Sequence, residues 1–110
     1  MDAESKAMSA TRLAEARRVV IKIGSSLFVD QGSGALHRSW LEALCEDAAE
    51  MHASGQEIII VSSGAIALGA SQLGVDIRRA RLQESQAAAA VGQIQLAHAY
   101  QEILGGHGIT

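Results

Sequence analysis

Aromatic side chains are almost missing from this sequence: one Phe, one Trp and one Tyr in 110 residues. Without aromatic faces there is no visible platform on which single-stranded bases could stack. The same scarcity predicts a core of Ala, Val, Ile and Leu, drawn from a chain that is 48% hydrophobic. Positive charge is also short. Nine Lys and Arg against twelve Asp and Glu leave a net charge of −3, which argues against a nucleic-acid partner, since such proteins present a basic face. Cysteine occurs once, as Cys45. A lone cysteine forms no internal disulfide, so the expected setting is reducing and cytoplasmic. Cys45 lies in a helical pattern and reads as a small core residue rather than a reactive thiol. No apolar run approaches the roughly 18 residues of a membrane span, and the first residues lack the apolar block of a signal peptide.

What is present is organised as alternating strand and helix signals. Residues 1–16 mix Ala, Ser and charge and read as a flexible extension, with a helical turn near Leu13. The domain begins at about residue 17. Val19 to Ile23 is a β-branched run of strand length, the pattern of a strand covered on both faces. Gly24 to Gly34 is rich in Gly and Ser and reads as a loop. Leu41, Leu44, Cys45, Ala48 and Met51 then form one apolar helical stripe. Ser39-Trp-Leu-Glu42 matches a capping box, with His37 as an earlier point of entry, and Gly55 is placed as the helix stop.

Ile58 to Val61 is the second strand. The link between the strands holds a helix and has the size of a βαβ crossover, so the two strands should be parallel. A short helix is expected just after Ser63, with Ile66, Ala67 and Ala70 on its apolar side. A long helix follows over about 83–104, with Ala87, Ala90, Val91, Ile94 and Ala97 as a small-residue face. Gly92 lies inside it. Glycine there costs about 1 kcal/mol relative to alanine, so close approach of another backbone is the expected compensation. Ile109-Thr110 looks like the start of a third strand. Two strands and part of a third cannot cover a doubly wound sheet, so the chain reads as the N-terminal piece of a larger α/β domain.

Ligands of open α/β sheets bind beyond the carboxyl ends of the strands. Both polar clusters fall there: Gly24-Ser-Ser26 after the first strand and Ser62-Ser-Gly-Ala65 after the second. Backbone N–H groups at a helix start suit an anion, and glycine lets a ligand approach the backbone. Lys22, set in an apolar run, would supply the neutralising charge. One unit-charge pair at about 4 Å is worth about 4 kcal/mol at an effective dielectric near 20. Spacing alone leaves a second reading open for each residue: Lys22 snorkelling from an edge strand, and Ser63 acting as a helix cap. Other chemistries are excluded. The sequence has no G-x-x-x-x-G-K-[ST] loop, and Val61 stands where a nucleophile elbow at Ser63 needs glycine. His37, His52, His98 and His107 share no metal-ligand spacing.

Three segments together resemble one family. Val20-Ile-Lys-Ile-Gly-Ser-Ser26, Ile60-Val-Ser-Ser-Gly-Ala-Ile-Ala67 and Gln86-Ala-Ala-Ala-Ala-Val-Gly-Gln93 are similar, in order and spacing, to segments of the amino acid kinase family. Within it they fit best the branch that phosphorylates the side-chain carboxylate of L-glutamate, at the entrance to proline biosynthesis. The resemblance covers about residues 17–110 and implies a three-layer αβα sandwich with a mainly parallel sheet. It implies ATP and Mg²⁺ as cofactors, L-glutamate as substrate and a homo-oligomer for the whole protein. By position, Lys22 matches the lysine on the ATP phosphates and is the implied catalytic residue. Gly24, Ser25 and Ser26 match the phosphate loop beside it. Ser63, with Gly64 and Ala65, matches the glutamate-binding segment. A non-catalytic module that binds an anion or an amino acid, or another branch of the family, is the competing expectation.

Overall fold

The computed structural model describes residues 12–24, 27–30 and 32–110. Two strands and three helices follow a short helical turn at residues 12–15. They are β1 (Arg18–Ile23), α1 (Arg38–Ala53), β2 (Glu57–Ser62), α2 (Ala65–Leu73) and α3 (Leu82–Gly105). The strands pair in parallel, from Arg18 opposite Glu57 to Ile23 opposite Ser62. An exposed ion pair between Arg18 and Glu57, 2.8 Å, marks the start of that register. Buried Gln56 ties the preceding segment down: its side-chain amide donates to the carbonyls of Leu13 and Ala16 at 2.7 and 2.9 Å.

Helix α1 buries the expected stripe. Leu41, Cys45 and Ala48 are buried, and Leu44 and Met51 are half-buried. The chain enters the helix at His37, not Ser39, and no side chain caps it. Gly55, at φ 97°, takes the left-handed conformation that ends it, as expected for glycine. Helix α3 begins with the Arg81 N–H donating to the Glu84 carboxylate at 3.2 Å. It runs 24 residues, roughly 36 Å at 1.5 Å per residue.

Four sequence expectations are corrected. Among the described residues only one face of β1 is covered: Val19 and Ile23 are buried, whereas Val20 is 59% exposed and Lys22 lies beside it on the open face with Ile59 and Val61. Helices α1 and α3 serve only the other face. The buried stripe of α3 is Ala88, Gly92, Leu96, Ala99 and Ile103; Ile94, expected inside, is 73% exposed. In α2 the buried residues are Leu68, Gly69 and Ala70, and Ile66 is exposed. Residues 109 and 110 form no strand; the Ile109 N–H donates to the Leu104 carbonyl and closes the helix end.

The core is not purely aliphatic either. Phe28 is completely buried at its centre, among Ile23, Leu41, Cys45, Leu68, Leu96 and Ala99. Trp40 meets its ring edge-on at 5.6 Å and Tyr100 at 6.5 Å. All three aromatic residues of the chain therefore converge on one spot. Each such pair adds about 0.5–1.5 kcal/mol beyond the area it buries.

Candidate functional site

Parallel pairing sends both strands to the same edge of the sheet. The pairing continues one step past the strand ends, where the Ser63 N–H donates to the Ile23 carbonyl at 3.3 Å. Gly24 and Ser63 consequently open two neighbouring loops. The two sequence clusters read as a binding edge are brought together by the fold, as far as the structure describes them; Ser25 and Ser26 lie outside the described residues.

Lys22 stands opposite Val61 on the open face, exposed to solvent. Among the described residues no carboxylate pairs with it. Its position in an apolar run raised the prospect of a costly buried ammonium. Strand alternation removes that cost by pointing Lys22 away from α1 and α3. Among the described residues its charge is unspent.

The two glycines of the site differ in kind. Gly24 is exposed, and a methyl group added there would meet nothing within 4 Å among the described residues. Gly64 is buried, and a Cβ there would run into the ring of Phe28. Packing against Phe28 is thus reason enough for glycine at 64, before any ligand is considered. Ser63 is exposed. The N-cap of α2 is Gly64, and no side chain caps that helix, so the alternative reading of Ser63 as a helix cap is set aside. The N–H groups of the first turn of α2, beginning at Ala65, have no partner within the helix, as at any helix start.

The third sequence segment has a structural role. Ala88 and Gly92, both buried in α3, form the surface on which α2 lies. A Cβ on Gly92 would overlap the Ala65 carbonyl. The segment 86–93 thereby sets how close the N-terminal turn of α2 comes to α3, and with it the position of residues 63–65.

Two contributors were not foreseen. Phe28 sits in a stretch read only as loop, where the apolar triplet Leu27-Phe28-Val29 was the available signal. Tyr100 shares a hydrogen bond of 3.1 Å with the Ser62 hydroxyl. Burial pushes the Tyr100 phenol above its ordinary range, while Ser62 acts in the opposite sense. Cys45 is pushed up by burial as well, as suits a core thiol. Among the described residues no group of three or more His, Cys, Asp or Glu side chains could hold a metal ion. No described helix is long and apolar enough to cross a membrane.

Comparison with known proteins identifies the family. The model of the amino acid kinase family matches residues 17–110. A glutamate 5-kinase from Ruegeria sp. (strain TM1040) is 57% identical over 98 residues, 89% of this chain and 27% of the relative. One from Rhodopseudomonas palustris (strain HaA2) is 52% identical over 102 residues, 93% of this chain and 27% of the relative. One from Brucella ovis is 55% identical over 98 residues, 89% of this chain and 26% of the relative. The chain spans about a quarter of the length of these curated relatives.

Proposed function

Because this chain belongs to the amino acid kinase family, we propose that it forms one side of the active site of a glutamate 5-kinase. That enzyme moves the γ-phosphoryl group of ATP to the side-chain carboxylate of L-glutamate. The observation that carries the reading is the meeting of the Gly24 and Ser63 loops at one strand edge, beside a lysine with no carboxylate partner among the described residues.

The chemistry needs little from the protein. A glutamate side chain, with an ordinary pKa of about 4.3, is already ionised at neutral pH and needs no general base. The work is positioning and charge neutralisation. Lys22 acts as the catalytic cation on the transferring phosphoryl group. Gly24, Ser25 and Ser26 form the loop beside the ATP phosphates, and the open space at Gly24 suits a phosphate approaching the backbone. Mg²⁺ bound with ATP would add further positive charge; no residue of this chain is assigned to it. Ser63 offers its hydroxyl to glutamate, with the backbone at Gly64 and Ala65 alongside. We assign the complete domain a three-layer αβα architecture, in which further helices cover Val20, Ile59 and Val61.

The test is trapping of glutamyl phosphate with hydroxylamine. Three samples are compared: the 110-residue chain, the chain mixed with the remaining length of the Ruegeria relative, and a chimaera. In the chimaera residues 17–110 replace the matching segment of that relative. Activity in the chimaera, dependent on Lys22, and none in the chain alone is the expected result. An inactive, folded chimaera overturns the reading.

A further inference from the structure

We propose that Tyr100 is a positioning residue for the glutamate site: its hydroxyl holds Ser62, and so fixes the turn that presents Ser63. The proposal rests on the assignment of Ser63 to glutamate.

The turn is gripped on both sides of Ser63. Ser62, the last residue of β2, is half-buried and bonded to Tyr100 at 3.1 Å. Gly64 is buried against the ring of Phe28. Between them Ser63 is exposed, with its N–H held by the Ile23 carbonyl. Alternation along the strand turns the Ser62 side chain inward and leaves the next residue facing out. Tyr100 is held by packing. It is half-buried on α3, next to buried Ala99, and its ring lies edge-on to Phe28. Its phenol is protonated at neutral pH, so a hydrogen bond between the two hydroxyls persists through the working range.

The two aromatic residues divide the work. Phe28 packs under Gly64 and, in the core, beside Ile23, the residue before Gly24. Among the described residues the Tyr100 hydroxyl bonds only to Ser62. Misplacement of a binding group by about 1 Å can cost on the order of 100-fold. Removing the Tyr100 hydroxyl should therefore weaken the glutamate side and spare the ATP side.

The test uses the active chimaera. Tyr100→Phe keeps the ring and removes the hydroxyl. It should raise the glutamate KM about 5- to 10-fold, the size of a lost hydrogen bond, and leave the ATP KM within about twofold. Ser62→Ala should do the same. The double variant should be no worse than either single one, because both break one interaction. An unchanged glutamate KM in Tyr100→Phe, with Ser63→Ala raising it, overturns the positioning role and leaves the glutamate assignment standing. Equal losses in both KM values and in thermal stability reduce Tyr100 to packing and overturn the role. An unchanged glutamate KM in Ser63→Ala overturns the assignment and the proposal with it.

Discussion

Gly69 and Gly92 lie against each other where α2 crosses α3, each admitting the backbone of the other helix. A Cβ on Gly69 would overlap the Ala88 carbonyl and stand 2.8 Å from the Gly92 nitrogen. A Cβ on Gly92 would overlap the Ala65 carbonyl and stand 2.9 Å from the Gly69 nitrogen. Backbone atoms cannot swing aside as a flexible side chain can. Gly92→Ala should therefore destabilise the chimaera by about 1–3 kcal/mol, the usual cost of overpacking. Intrinsic helix propensity predicts the opposite sign, a gain of about 1 kcal/mol. Urea unfolding decides between them.

Lys22 is exposed and has no carboxylate partner among the described residues. Lys22→Ala should leave the melting temperature of the chimaera within a degree or two (on the order of 0.5 kcal/mol). It should lower kcat by orders of magnitude, because a charge on the transferring group is lost. Near-normal turnover removes Lys22 from the mechanism.

Ser63 does not cap α2, so its loss should not cost helix stability. Ser63→Ala should raise the glutamate KM by about 1–2 kcal/mol and leave the ATP KM nearly unchanged. Steady-state kinetics with each substrate varied in turn checks this. An effect confined to ATP moves Ser63 to the phosphate side.

The open face of the sheet gives a two-sided prediction. Val20, Ile59 and Val61 are 59%, 44% and 42% exposed, and exposed apolar strands with free edges invite aggregation. Ile59→Thr should raise the solubility of the 110-residue chain. In the chimaera it should destabilise by about 1–3 kcal/mol, if further helices bury that face. Turbidity on the first and urea unfolding on the second measure the two effects. Equal tolerance in both would leave the face uncovered and remove the third layer.

Alkaline pH should weaken the fold through Cys45 and Tyr100. Both groups are pushed up in the folded state by burial. The unfolded chain gives up these protons first, near about 8.5 for a thiol and about 10 for a phenol. Their contribution is therefore complete below those values and declines as pH rises through and above them. Cys45→Ala should remove the thiol's share of the decline. A denaturation series from pH 7 to about 11 reads the difference in slope.

Much of this arrangement was legible in the residues. The β-branched runs at 19–23 and 58–61 became parallel strands, because the helix-bearing link between them allows little else. The stripe Leu41, Cys45, Ala48 was found because its period is strong. The stripe of α3 was not. Alanine occurs all round that helix, and a hydrophobic count favours Val91 and Ile94 over Gly92, whereas contact with α2 favours the residue with no side chain. The place of Gly92 was nevertheless inferred from its helical cost, an argument about the missing group.

The sequence by itself determined the class of the protein, the order of its two strands and three helices and the family, since local periodicity and short motifs carry that information. It also marked Lys22 and Ser63 by their place at strand ends. Tertiary structure decided which face each side chain took. Lys22 turned out exposed and Phe28 buried, against the impression left by their neighbours in the chain. It also joined Tyr100 to Ser62 and Phe28 to Gly64 across separations in sequence that no local pattern encodes. The reason is physical: burial and hydrogen-bond partners belong to the packed surface, and that surface exists only once the helices have closed on one side of the sheet.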